Sequence, residues 1–202
     1  ELDALVNIDF TTRTIKEQKN NLNIIRIGTS GAIQAEIPID SFLVSEYAIG
    51  FDSLLHFYNS EHIQHLDISQ KFAEHSKWPS QKSLPYVVKS DRKLAEKLSS
   101  NHIRFGFTAT NTGFYGPQGR KLRAPIEENH LVSKMASFRY NEMKITNLEM
   151  ETSGIYGLSK LMGHQAVSMN CILANRATGK FSENPERSID ELIKYTLHKI
   201  TS

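Results

Sequence analysis

The sequence predicts an α/β fold with a largely parallel or mixed central sheet, and three observations carry that prediction. Strand-like and helix-like patterns alternate along the chain, as they do where helices cover a sheet. One run, Ala166 to Ala174, is almost continuously apolar, the pattern of a strand buried on both faces. No stretch rich in proline or serine divides the 202 residues, so one domain over 1–202 is expected.

In chain order, Leu2, Leu5 and Val6 recur at helical spacing. Asn23 to Ile27 is short, rich in isoleucine and ended by Gly28, which predicts a strand. Phe42 to Ala48 follows the turn signals Pro38 and Asp40 and reads as a second strand. Ser60 to Leu84 is polar and predicts an excursion over the surface. Leu94 and Leu98, four apart, suit a short helix within Ser90 to Ser100. Ile103 to Thr110 sets Ile, Phe, Phe and Ala against Arg, Gly, Thr and Thr, a half-buried strand. A loop with Gly113, Gly116, Pro117 and Gly119 follows. Ile145 to Glu149 is a short strand, and Glu151 to Met162 a helix with Ile155, Leu158 and Met162 on one face. Ser188 and Glu191 have the spacing of a capping box, opening a last helix whose Ile189, Leu192, Ile193, Leu197 and Ile200 form an apolar stripe.

Composition narrows the function classes. Hydrophobic residues make up 39% and charged residues 23%, an ordinary globular balance that excludes a disordered chain. Twenty-four basic residues against 22 acidic ones give a net charge of +2, too little for a nucleic-acid partner. No apolar run has the length of a membrane span and no signal peptide is visible, so a membrane partner is not expected either. Cys171 is the single cysteine, which rules out an internal disulfide and a thiolate metal cluster and points to a cytoplasmic location. His56, His62, His65 and His75 lack the supporting ligand pattern of a metal site and read as surface histidines. Phe51, Phe57 and Tyr58 suit a core or a subunit interface. The chain opens at Glu1 inside a helical pattern, which is expected of a fragment or a processed chain.

Open α/β sheets bind ligands beyond the carboxyl ends of their strands, and four strand ends here carry polar groups. At the first, Arg26, Gly28, Thr29, Ser30 and Gly31 combine a forked cation, two hydroxyls and two glycines, which suits an anion; a plain turn with a surface Arg reads equally well. The second holds Phe114, Gln118 and Arg120, a ring face with an amide and a guanidinium that could read a planar heterocycle; a surface turn is the alternative. At the third, Glu149 and Glu151 flank Met150 where a strand hands over to a helix. A carboxylate there accepts the hydroxyls of a ribose, or simply favours the helix N-terminus. The fourth, Asn175 and Arg176, lines a pocket or terminates the sheet.

Taken in this order, the four segments resemble the nucleoside phosphorylase family, and within it the branch that acts on uridine. Arg26 to Gln34 is similar to the family's phosphate strand and loop, Phe114 to Arg120 to its pyrimidine-reading loop, and Glu149, Met150 and Glu151 to its ribose-binding Glu-Met-Glu. Asn175 and Arg176 stand where purine-specific relatives carry Ser-Asp. The likeness runs from about Leu5 to the last helix. It implies a three-layer α/β/α fold around a central mixed sheet, here without the family's N-terminal strands. It also implies reversible phosphorolysis of uridine to uracil and ribose 1-phosphate, with inorganic phosphate as co-substrate and no other cofactor. Arg26 and Thr29 would hold phosphate, Met150 would pack on the ribose, and Glu149 and Glu151 would bind it. Phe114 would flank sugar and base, Gln118 and Arg120 would bind the uracil edge, and Thr29 and Arg176 would complete the substrate-binding set. Arg26, Gln118, Arg120 and Glu151 are thereby the expected catalytic groups. The family assembles as homo-oligomers, dimers or trimers of dimers, and lends residues from a neighbouring subunit. Weak phosphate binding is expected of a chain that begins at Glu1. A purine nucleoside phosphorylase, a nucleosidase and an inactive nucleoside-binding fragment are the alternatives.

Overall fold

The structure is a computed structural model in which residues 1–127 and 130–202 are described. Helix α1 (Leu2–Asn7) leads into a small hairpin, β1 (Ile8–Asp9) and β2 (Thr14–Ile15), and then into the long strand β3 (Asn23–Ala32). Next come β4 (Phe42–Gly50), α2 (Leu66–Ser76), β5 (Tyr86–Lys89), α3 (Arg92–Lys97) and β6 (Arg104–Thr110). A turn of 3-10 helix at Gly116–Gln118 precedes α4 (Leu131–Ser137), β7 (Arg139–Tyr140) and β8 (Met143–Glu149). The chain ends through α5 (Thr152–Leu161), β9 (Gln165–Asn175), β10 (Lys180–Phe181) and α6 (Pro185–Thr201).

The sheet is mixed, in the order β10-β9-β3-β8-β6-β4-β5, with β7 beside β8. Pairs β3–β9, β4–β6 and β6–β8 are parallel, whereas β3–β8, β4–β5 and β9–β10 are antiparallel. Strand β4 also pairs with β9, through Phe42 to Val44, and that contact closes β3, β8, β6, β4 and β9 into a ring. Polar side chains meet across these strands. Ser45 and Thr108 share a 2.5 Å hydrogen bond, Thr108 donates to Asn147 Oδ1 at 3.0 Å, and Asn147 donates to Ser30 Oγ at 3.0 Å. Helices cover the sheet on different sides. Ile68 and Phe72 of α2 join Met135 of α4 over Ile49, Phe107 and Ile145, while Leu192 of α6 and Ala95 of α3 pack on Val44, Val167, Met169 and Cys171. Among the described residues, no helix is long and apolar enough to cross a membrane.

Several expectations need correcting. Strand β3 does not end at Gly28; it pairs with β9 in register to Ser30 and resumes after a bulge between Ser30 and Gly31. The stretch from Ser60 to Leu84 is not a surface excursion, since α2 sends Ile68 and Phe72, four residues apart, into the core at 2% and 0% exposure. The Thr side of β6 is not solvated, because Thr108 and Thr110 are buried with side-chain partners. Helix α6 starts before the apparent capping box. Asn184 caps it, accepting from the Arg187 N–H, and Ser188 lies inside and donates to Asp40.

Two outcomes test this packing. Phe72→Ala should destabilise the fold by about 3–5 kcal/mol in denaturant titration, the cost of emptying a packed ring site; a loss under about 1 kcal/mol would return α2 to the surface. Cys171 is buried, and burial, then Asp40 and Glu191, push its thiol from 9.0 up to about 11. The stability this lends is fully present below 9.0 and is lost as pH climbs through about 11. At pH 8 a thiol reagent should therefore leave the folded chain unlabelled and modify one group after unfolding. Prompt labelling of the folded chain would contradict the buried position.

Candidate functional site

The site grows from β3. Arg26 and Gly28 lie in register with Ser168 and Asn170 of β9, so the pleat puts all four on one face. A Cβ on Gly28 would stand 2.5 Å from Arg26 Cζ, so the glycine leaves room for the guanidinium to lie back along its own strand. That head group is enclosed, with its side chain 14% exposed. Its Nη1 donates to Ser168 Oγ at 3.2 Å and to Asn170 Oδ1 at 3.0 Å. Its Nη2 donates to Glu151 Oε2 at 2.6 Å and lies 3.5 Å from Glu149 Oε2.

The two glutamates are placed differently by the handover from β8 to α5. Glu149 is buried, and its Oε1 accepts from Thr110 Oγ1 at 2.6 Å. Its Oε2 accepts from the backbone N–H groups of Glu151 and Thr152, both at 2.9 Å, and from Thr152 Oγ1 at 2.8 Å. This carboxylate satisfies the first turn of α5 and takes the positive end of the helix dipole. Glu149 thus holds the floor, while Glu151 presents a carboxylate 48% exposed whose Oε1 has no partner among the described residues. Met150 is half-exposed between them. Thr29 is not brought to Arg26: it is paired with Cys171, and the pleat turns it to the opposite side of β3, where it is exposed.

A second cluster forms beyond the far end of β3. Gly119, at a φ of 71°, closes the 3-10 turn that buries Gln118. Arg120 folds back on its own loop: its Cζ sits 3.9 Å above the Phe114 ring, and Nη1 donates to Gln118 Oε1 at 2.6 Å and Phe114 O at 2.7 Å. Arg176 Nη2 donates to Gln118 O at 2.7 Å, and its buried Nη1 has no partner among the described residues. Burial lowers the pKa of both guanidiniums, and Arg120 lowers that of Arg176 further. Asn175 serves the sheet end instead, donating to Gln34 O and Ile37 O and accepting from Ala177 N–H. The Arg176 stem crosses β3 at Gly31, where a Cβ would sit an ordinary 3.9 Å from its Cγ.

Sequence reasoning missed four residues here. Ser168 and Asn170 are readable in retrospect, as two polar residues at alternate positions in an apolar run. Thr110 and Thr152 carry no signal of their own, because a threonine at a strand end or in a helix's first turn is ordinary. A cavity of about 910 Å³ lies behind the 112–120 loop; its lining includes Arg120 and Asn111 but neither Arg26 nor Glu151.

Comparison with known proteins agrees with this architecture. The sequence model of the Phosphorylase superfamily matches residues 5–198. The uridine phosphorylase of Thermococcus kodakarensis is 27% identical over 168 residues, which are 81% of this chain and 52% of that protein. The chain therefore spans about half the length of this curated relative. A nucleoside phosphorylase of Trypanosoma brucei, reported to show uridine phosphorylase activity, superposes with a TM-score of 0.82 at 22% identity, covering 100% of this chain and 75% of that one. One of two uridine phosphorylases of Phytophthora capsici reaches 0.63 at 22% identity, over 95% of this chain and 68% of its own. At these identities the two structures speak for the fold.

The two glycines of β3 should respond differently to a methyl group. Gly28→Ala displaces the Arg26 head group from its acceptors and should cost about 2–4 kcal/mol, since the buried Glu149 loses its cation. Gly31→Ala meets only ordinary contacts and should change stability by under about 0.5 kcal/mol. Equal effects in urea titration would contradict the packing of Arg26 over Gly28.

Proposed function

This chain belongs to the Phosphorylase superfamily, and from that premise we propose that it catalyses the phosphorolysis of uridine to uracil and ribose 1-phosphate. The 2.6 Å pair of Arg26 with Glu151 carries this reading. A cation for phosphate and a carboxylate for ribose stand side by side and neutralise each other until ligands part them. Phosphate suits the forked donors of a guanidinium, and vicinal hydroxyls suit a carboxylate with an open oxygen.

In this reaction a phosphate oxygen bonds to the anomeric carbon as the bond from that carbon to uracil N1 breaks. The electron pair leaves on uracil, while the sugar gains positive character. Phosphate and Glu151 stabilise the sugar, and Arg120 and Arg176 stabilise the departing anion. Both guanidiniums are held by backbone carbonyls before substrate arrives, so little reorganisation accompanies the chemistry. Gln118 Oε1 is occupied by Arg120, which leaves its amide nitrogen as the donor for a uracil carbonyl. Phe114 offers a ring face. A purine would draw on an acid near its N7, whereas residue 176 is a guanidinium suited to an anionic pyrimidine. Inorganic phosphate is the co-substrate. The uridine phosphorylase of Thermococcus kodakarensis, 27% identical, supports the pyrimidine assignment.

Incubation with uridine should release uracil and ribose 1-phosphate only when phosphate is present. Arg176→Ala should lower kcat by about 100-fold, the scale of one lost transition-state donor, with a smaller change in KM. Gln118→Ala should erode the preference for uridine over inosine. Faster cleavage of inosine, or uridine cleavage independent of phosphate, would replace this reading with a purine enzyme or a nucleosidase.

A further inference from the structure

The polar side chains inside the ring of strands form one continuous hydrogen-bonded path. Arg26 of β3 donates from Nη1 to Asn170 Oδ1 of β9 at 3.0 Å. Asn170 Nδ2 donates to Ser45 Oγ of β4 at 2.9 Å. Ser45 lies 2.5 Å from Thr108 Oγ1 of β6, which donates to Asn147 Oδ1 of β8 at 3.0 Å. Asn147 Nδ2 then donates to Ser30 Oγ at 3.0 Å. Each strand of the ring contributes, and the path returns to β3 four residues beyond its start. Ser45, Thr108, Asn147 and Asn170 are all 0% exposed, so water does not compete for these bonds.

Arg26 sets the direction of the path. A guanidinium has donors only, so Asn170 turns its oxygen towards Arg26 and its nitrogen towards Ser45. Ser45 thereby accepts, and its one proton goes to Thr108, whose own proton goes to Asn147. Reversing any group would set two donors or two acceptors face to face, which is costly in a dry interior. The guanidinium itself is left asymmetric. Both hydrogens of Nη1 are taken, by Asn170 and by Ser168 Oγ at 3.2 Å. Nη2 instead faces Glu151, whose carboxylate is 48% exposed.

We propose that Asn170 is a positioning residue, held by the path through Ser45, Thr108 and Asn147 so that Arg26 exchanges Glu151 for phosphate at Nη2 without turning. This rests on the reading of Arg26 as the phosphate cation. The Nη1 edge is spent on the fold, and the donor left for the anion is set before the anion arrives.

Thr108→Val tests the path at a distance, because it has the shape of threonine without the hydroxyl and touches neither Arg26 nor Glu151. It should raise KM for phosphate about fivefold with kcat and the uridine KM unchanged. Thr108→Ser, which keeps the hydroxyl, should restore the wild-type value. Asn170→Ala should raise KM for phosphate about tenfold. Two readouts require no turnover. With isotopically labelled arginine, the two Nη nitrogens of Arg26 should give separate NMR signals in the wild type, as a guanidinium held along one edge does, and should merge in Asn170→Ala. Inorganic phosphate should shift these signals saturably, with about fivefold weaker affinity in Thr108→Val. That ratio in a chain that leaves uridine uncleaved supports the positioning role and overturns phosphorolysis alone. Merged Nη signals in the wild type overturn the proposal, as does an Arg26 signal indifferent to phosphate. A Thr108→Val chain with a lower melting temperature but unchanged phosphate affinity also overturns it, by reducing the path to a support of the fold.

Discussion

A guanidinium enclosed by strands has to be neutralised where it stands, because water cannot do it. Arg26 is in that position, and much of the surrounding sequence follows from it. Between Ala166 and Ala174, strand β9 is apolar except where Ser168 and Asn170 face Arg26. Gly28 gives up its side chain to make room. Glu149 supplies a buried counter-charge, and its own remaining lone pairs are filled by Thr110, Thr152 and the first N–H groups of α5. The same carboxylate therefore starts a helix and balances a cation. Helix α5 is fastened to the ring a second time by Tyr156, which donates to Ser45 O at 2.6 Å and accepts from Ser168 N–H at 2.8 Å. Burial raises the Tyr156 phenol pKa well above its ordinary value, so it stays a neutral donor.

The two clusters differ in charge balance. Around Arg26 one cation meets two carboxylates, with the exposed one free to exchange partners. Around Gln118 two guanidiniums face neutral oxygens, the backbone carbonyls of Phe114 and Gln118 and the amide of Gln118. Burial lowers the pKa of both Arg120 and Arg176, and the neighbouring Arg120 lowers that of Arg176 further. A site that must accept an anion only late in a reaction benefits from such a surplus, since it favours the charge-separated state over the neutral ground state. The exchangeable pair at the other end suits ligands that arrive already formed.

What the sequence made legible, and what it hid, divides along a physical line. The alternation of strands and helices was visible because apolar periodicity reports burial directly. The motif residues Arg26, Phe114, Gln118, Arg120, Glu149, Glu151 and Arg176 stood out because such groups are costly to place without partners. Gly28 misled, because a glycine after an isoleucine run signals a turn equally well as space for a neighbouring side chain. Helix α2 was masked by its polar face; the spacing of Ile68 and Phe72 was its clue. Thr108 and Thr110 read as solvent-facing, because periodicity cannot tell water from a polar interior.

Strand β3 also sets the spacing of two clusters that differ so much in charge. Its length was underestimated by the residues after Gly28, and those residues span the gap. Arg26 lies back over Gly28, and the Arg176 stem crosses at Gly31. Three residues of extended chain separate these crossings by about 10 Å, the scale of a nucleoside. A turn at Gly28 would have let the two guanidiniums drift relative to each other with every loop motion. A strand paired on both sides, with β9 along its length and β8 at its end, fixes that distance in the hydrogen-bonded lattice of the sheet. Gly28 thus contributes rigidity rather than freedom: it removes a side chain so that a cation can be held against a stiff backbone.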